Sequence, residues 1–261
     1  MLEIKDLHVQ FHTSDHEAVR GIDLTVRDGE ILGLVGESGS GKTVTAMMIA
    51  GLLGEDRARI SGQILLDGTD LLHAGGKELR RRQGKDIGVV FQDPMSAMNP
   101  VMRIGPQVEE SLRVHTRLSK EQRRAMALQA LEDVELEDVE AVYRKYPHEL
   151  SGGMLQRVMI AAAIISGPRL LLADEPTTAL DVTIQAQILE LLRRLNRQRQ
   201  MSVLFISHNL QVVRKLCSRV AVMEQGRIVE QGQTDQVFFH PQQPYTQRLI
   251  AAIPTRRKIH G

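Results

Sequence analysis

The chain has 261 residues, a length that accommodates one large domain or one core with a sizeable insert. Its 33 basic and 32 acidic side chains are interspersed and leave a formal net charge of +1, which argues against the basic excess of a nucleic-acid binder. Hydrophobic residues at 42% and charged residues at 25% are ordinary for a globular protein.

The opening Met1-Leu2-Glu3-Ile4-Lys5 has no signal-peptide pattern. The first thirty residues predict antiparallel β-structure: Val9 and Phe11, then Ile22, Leu24 and Val26, alternate with polar neighbours before an Asp28-Gly29 turn. The apolar run Ile31–Val35 ends on a glycine-rich turn and leads into a helix over Val44–Leu53. Three further apolar runs, Ile87–Phe91, Leu170–Ala173 and Val203–Ile206, predict strands of a parallel sheet covered on both faces. Strand signals vanish between about 93 and 165. There Ser119 and Gln122 form a capping-box pattern, opening a helix whose apolar side carries Met126, Leu128 and Leu131. The longest apolar candidate for a membrane span, Val158–Ile165, is far below the roughly 18 residues needed, so membrane association is expected to run through a partner. Another helix opens at Asp181, with Ile184, Ile188, Leu191, Leu192 and Leu195 on one stripe. Cys217 is the lone cysteine; it excludes an internal disulfide framework, fits a cytosolic location and is expected in the core. Val220–Met223 and Arg227–Val229 flank Glu224-Gln225-Gly226 as a closing hairpin. The tail after about 235 is rich in Gln and Pro and ends on Arg256-Arg257-Lys258.

Gly36-Glu37-Ser38-Gly39-Ser40-Gly41-Lys42-Thr43 fits G-x-x-x-x-G-K-[ST] between a strand and a helix. Glycines let the backbone wrap phosphates and aim N–H groups inward, and the following helix adds its positive end. Lys42 then meets the β- and γ-phosphates, and the Thr43 hydroxyl ligates Mg²⁺. Leu170–Glu175 is an apolar strand ending in two carboxylates. Asp174 is placed to hold the metal, and Glu175 to take the proton of an attacking water. Gln92 ends its own strand where the helical stretch begins; it is either a solvated turn residue or a ligand for Mg²⁺ or water. His208 ends the next strand, as a structural histidine or as a hydrogen-bond donor to the γ-phosphate. Ser151-Gly152-Gly153 precedes an Ala/Ile/Met-rich helix over Leu155–Ile165. It suits a second anion cradle serving another subunit's nucleotide, or a plain helix N-cap.

The ordered set Gly36–Thr43, Gln92, Leu150–Met154, Leu170–Glu175, Thr178-Ala179-Leu180-Asp181 and His208 resembles the ATP-binding subunit of ABC transporters over nearly the whole chain. The resemblance implies an α/β fold: a P-loop NTPase core of mostly parallel sheet flanked by helices, an N-terminal antiparallel β subdomain and a helical insert. Within one ABC ATPase domain over 1–261, residues 1–92 are expected to hold the β subdomain and the first part of the core. Residues 93–165 hold the helical subdomain, 166–234 the second part of the core and 235–261 a C-terminal tail. It further implies that Ser151, Gly152 and Gly153 close over a partner's ATP, and that Asp181 is an interface aspartate besides its N-cap role. It also implies Phe11 as the aromatic stacking on adenine, with a core role as the alternative.

Met154 replaces the glutamine usual after Ser-Gly-Gly, as in the branch that imports peptides and nickel. Ser151–Arg157, Asp174–Asp181 and His240–Arg248 resemble that branch too. The expected protein is then a peripheral ATPase on the cytoplasmic face of a bacterial membrane. It would work with a second ATPase subunit, either a homologous chain or a second copy of itself, with two membrane-spanning permease subunits and an extracytoplasmic solute-binding protein, and with no nucleic acid. Because the chain stops at Gly261 without the cysteine-bearing extension of many peptide members, chelated nickel is the expected cargo and short peptides the alternative. His12 and His16 look like exposed singletons and are not expected to bind metal. A GTPase switch would need an N/T-K-x-D motif, and a soluble ABC ATPase of DNA repair or translation a second cassette or a long coiled-coil insertion; the sequence has neither.

Overall fold

The computed structural model describes residues 1–178 and 180–253, so Ala179 and the basic stretch read at 256–258 lie outside the described residues. Strands β1 (Leu2–Phe11) and β2 (Glu17–Val26) pair antiparallel, as their alternation predicts. Leu2, Ile4, Leu7 and Val9 point inward, against Ile22, Leu24 and Val26. The chain then crosses into a second sheet through β3 (Ile31–Val35), all of it buried, and enters helix α1 (Lys42–Ile49). This helix starts and stops earlier than the apolar pattern over Val44–Leu53 predicts: it closes at Ala50, and Gly51 turns left-handed behind it.

The pattern predicts no strand over 54–86, yet β4 (Ala58–Leu66) pairs with β1, and β5 (Thr69–Asp70) pairs with β4. The alternation of β4 is interrupted where β1 bulges. Asp6 sits at φ +46°, the register shifts between Lys5 and His8, and a Cβ at Gly62 would lie 2.3 Å from the Asp6 carbonyl oxygen. The first sheet therefore runs β2-β1-β4-β5.

Helix α2 (Gly75–Arg82) leads to β6 (Ile87–Val90), which stops one residue short of the predicted Phe91. Phe91 is exposed, because the backbone leaves the sheet to reach Asp93, the N-cap of the short helix α3 (Pro94–Ala97). A run of helices follows: α4 (Ile104–Val108), α5 (Glu110–His115), α6 (Lys120–Asp133), α7 (Val139–Arg144) and α8 (Gly152–Ile164). Ser119 and Gln122 form the reciprocal capping box predicted for α6. Its buried face is Ala127, Ala130 and Leu131, however, and Met126 is 39% exposed. Alanines on that face let α6 pack closely on α8, while the larger Met126 falls off the stripe.

Strands β7 (Leu170–Asp174) and β8 (Ser202–Ser207), joined by helix α9 (Val182–Arg199), complete the buried parallel centre of the second sheet. Helix α10 (Leu210–Leu216) leads to the hairpin of β9 (Arg219–Glu224) and β10 (Arg227–Gln233), turning through left-handed Gln225 and Gly226. The order is β10-β9-β3-β8-β7-β6, parallel except for β10. Cys217 is buried beneath it. Helices α11 (Thr234–Phe239) and α12 (Pro244–Ala251) close the described chain.

Candidate active site

Strands β3, β7 and β8 are neighbours, so their carboxyl ends bring the Gly36–Thr43 loop, Asp174-Glu175 and His208 to one edge. The loop is held close against the rest of the core. A Cβ at Gly36 would fall 2.1 Å from the Met223 carbonyl oxygen. One at Gly41, which has φ +108° as the N-cap of α1, would fall 2.5 Å from that of Ala18. Only glycine fits at either position. Gly36, Ser40, Gly41 and Lys42 are buried, whereas Glu37, Ser38, Gly39 and Thr43 face outward.

The Lys42 ammonium donates to the carbonyls of Gly36 (2.9 Å) and Glu37 (2.7 Å) and to Ser40 Oγ (3.2 Å). Burial pulls its pKa down, while the charges of Glu175, Asp174 and Glu37 work against that pull. Burial likewise pushes the Asp174 carboxyl up; Thr43 and Lys42 oppose the shift and Glu175 reinforces it. Asp174 Oδ1 is buried with no hydrogen-bond partner among the described residues. A buried carboxylate oxygen that lacks a partner, beside a threonine hydroxyl and a lysine, suits a hard divalent cation bound to phosphate.

Glu175 sits at φ +47°, a conformation uncommon for a side-chain-bearing residue, and its N–H is tied to the Ile206 carbonyl at 2.9 Å. That turn aims its carboxylate at three partners. Gln92 Nε2 donates to Oε2 at 3.2 Å, Thr178 Oγ1 to the same oxygen at 2.9 Å, and His208 Nδ1 lies 2.9 Å from Oε1. Of the two readings open for Gln92 and for His208, the structure shows both side chains bonded to this carboxylate. Thr178 was expected only within the motif leading to Asp181; its place on Glu175 comes from the turn between them, where its N–H also bonds the Glu175 carbonyl.

Ser151 and Asp181 each cap a helix: Ser151 Oγ accepts from Met154 N, and Asp181 Oδ1 from Ile184 N. The two helix starts are packed together, since a Cβ on Gly153 would lie 2.9 Å from Ile184 Cγ2. Ser151 and Gly152 are exposed, and among the described residues no hydrogen bond or ion pair joins Ser151, Gly152 or Gly153 to Lys42, Asp174 or Glu175. Phe11 is partly buried at the end of β1, packed on the core shared by the first sheet and α1. One contact had no sequence signal beyond the His240–Arg248 resemblance: Tyr245 in α12 accepts, through its hydroxyl, the Glu37 N–H at 3.0 Å.

The ABC transporter profile matches residues 19–178, which includes this loop, Gln92 and the Asp174-Glu175 pair. The chain is 47% identical to the oligopeptide transport ATP-binding protein OppD of Bacillus subtilis over 258 residues, 98% of this chain and 72% of that protein. The chain belongs to the ABC transporter family. The glutathione import ATP-binding protein GsiA of Salmonella choleraesuis is 44% identical over 269 residues, covering 100% of this cassette and 43% of that protein. The cassette therefore spans less than half the length of GsiA. Among solved structures it is similar to the dimeric post-hydrolysis state of the cassette MJ0796 bound to ADP and Pi. That likeness has a TM-score of 0.80 and 29% identity, and covers 90% of this cassette and 99% of that chain. The cassette is accordingly an ABC-type ATPase with the expected α/β fold. Neither OppD nor GsiA is named for nickel.

Proposed function

We propose that this cassette powers an ABC importer for short peptides, with Glu175 activating the water that attacks ATP. The observation that carries the cargo is the identity shared with OppD, 47% over 98% of the chain. Glutathione, the cargo GsiA is named for, is itself a small peptide. Nickel, expected from the short C-terminus, has no support in these relatives. The length of the tail is a weak guide to what is carried, because peptide-type identity extends through the cassette itself. Among the described residues there is no cluster of His, Cys, Asp or Glu able to hold a metal ion as cargo.

In the proposed reaction Lys42 and the loop N–H groups hold the β- and γ-phosphates, and Phe11 stacks on adenine. Thr43, Asp174 and Gln92 would hold Mg²⁺, which supplies charge neutralisation at the phosphates. Glu175 accepts the proton of the attacking water; its bonds from Gln92, Thr178 and His208 orient the carboxylate for that role. His208 also donates to the γ-phosphate as the carboxylate turns to water. Ser151 and Gly152 are exposed, and with Gly153 they serve the nucleotide of a second cassette packed head to tail, with Asp181 at the same interface. The dimeric state of the MJ0796 neighbour supports this arrangement.

Among the described residues no helix is long and apolar enough to cross a membrane; in the proposed importer, permease subunits carry the cargo across. A groove of about 740 Å³ is lined by Leu52, Val89, Met98, Val114 and Phe91, the residue before Gln92, among others, and supports their docking there. A solute-binding protein outside the cell would deliver the cargo. Paired uptake in a strain lacking this gene tests the reading. Resistance to a toxic peptide analogue with unchanged entry of labelled nickel is expected; lost nickel entry with full sensitivity to the analogue would reverse it.

A further inference from the structure

The peptide unit joining Gly36 and Glu37 is gripped at both ends. Its carbonyl accepts from Lys42 Nζ at 2.9 Å, and its N–H donates to the Tyr245 hydroxyl at 3.0 Å, 208 residues along the chain. Because a trans peptide is planar, fixing the direction of the N–H fixes that of the carbonyl opposite it. The flanking residue is Gly36, whose backbone has the most freedom to let this plane rotate. A rotated plane would take one acceptor from Lys42.

Tyr245 is itself firmly seated. It is buried in the main hydrophobic core, and the Arg248 guanidinium lies 5.8 Å above its ring and 3.4 Å from Glu224 at the end of β9. The start of α12 is pinned by the Glu230 carboxylate, which accepts from the N–H groups of Gln242 (2.9 Å) and Gln243 (3.1 Å). A second brace comes from the adjoining hairpin, where Gly226 N donates to the Ser40 carbonyl at 2.9 Å.

We propose that Tyr245 is a positioning residue for nucleotide binding: through its hydroxyl, helix α12 sets the Gly36–Glu37 peptide and thereby the aim of Lys42. The hydroxyl touches no phosphate and acts only through the loop. The inference rests on nucleotide binding at Lys42 and is independent of cargo.

The test compares the full-length wild type with Tyr245→Phe and Arg248→Ala. MgATP and MgADP affinity are measured by titration calorimetry, alongside steady-state ATPase kinetics. Tyr245→Phe keeps the ring and loses the hydroxyl, so affinity for both nucleotides should fall about three- to tenfold, as expected when a donor loses its one partner. KM should rise in step while kcat stays within about twofold, since the residue acts on binding and not on the attack. Arg248→Ala loosens the outside of α12 without touching the hydroxyl, and its affinity should match the wild type. Tyr245→Phe affinities within about twofold of wild type, whatever happens to thermal stability, would overturn the proposal. Equal weakening in both variants would overturn it as well, by tracing the effect to helix docking. Wild-type protein that failed to bind MgATP would instead refute the nucleotide site itself.

Discussion

Gln92 at the end of β6 donates its side-chain amide to Oε2 of Glu175 at the end of β7, across 3.2 Å. The two strands are parallel neighbours, so a residue at the mouth of the helical stretch is bonded directly to the proposed base. Phe91, the residue before Gln92, lines the apolar groove. A change at the groove thus has a one-residue path to the carboxylate.

Breaking that path should separate chemistry from binding. Gln92→Ala leaves the Glu175 carboxylate with Thr178 and His208 but without its link to the groove. MgATP affinity is expected to fall by no more than about threefold, from the lost Mg²⁺ contact, while kcat falls roughly tenfold or more, a loss mainly in the transition state. Equal losses in affinity and kcat/KM, measured by titration and steady-state kinetics, would confine Gln92 to ground-state binding.

The two glycines after Ser151 offer unequal tests of the trans role. An aspartate at Gly153 would collide with Ile184 at 2.9 Å, mixing a steric effect with a charge effect. At Gly152 the nearest atom to an added Cβ is Leu180 Cδ2 at 3.9 Å, and an acidic residue in the first turn of α8 suits the helix dipole. Gly152→Asp should therefore fold normally and bind ATP as an isolated chain with near-native affinity. On the proposed trans role its hydrolysis should fall by about tenfold or more, because a negative side chain would face the other cassette's γ-phosphate. Weakened binding to the isolated chain would place Ser151–Gly153 at the chain's own nucleotide.

Burial holds the Cys217 thiol far above its ordinary pKa, with Glu30 adding to the shift. A raised thiol pKa means less thiolate at every pH, so the native protein should resist a disulfide exchange reagent at pH 8. Labelling below about a tenth of stoichiometric is expected before unfolding in urea, and full labelling after it. Fast reaction of the folded chain would show that the packing over Cys217 opens readily.

At the centre of the second sheet, Phe205 is wholly buried in β8, between β3 and β7. Phe205→Ala should cost ~3–5 kcal/mol of stability, measured by urea unfolding, as expected for a large core side chain removed from a rigid sheet. A loss below ~1 kcal/mol would mean that the sheet collapses around the gap.

Much of this site was legible because its chemistry lies in contiguous motifs. Gly36–Thr43 and Leu170–Glu175 carry their strand-and-loop context with them, and buried parallel strands leave unbroken apolar runs. β4 was hidden because the bulge at Asp6 and the approach of Gly62 break its alternation, leaving no clean period of two. Met126 was misplaced on α6 because the buried stripe is built of alanines, which hydropathy alone ranks below methionine. The Tyr245 bond to Glu37 had no local signal at all, since it spans the whole core between two distant segments. Nickel, expected from the length of the tail, is not the cargo that OppD or GsiA is named for.

Phosphate release by Glu175→Gln reports most simply on whether Glu175 activates the attacking water. The amide keeps the shape and the hydrogen-bonding reach of the carboxylate but cannot take a proton at neutral pH. Turnover should fall by roughly 10²–10⁴ with MgATP affinity preserved, and an ATP-dependent dimer should accumulate on size-exclusion chromatography. Phosphate release at near wild-type rates, with no trapped dimer, would contradict the account.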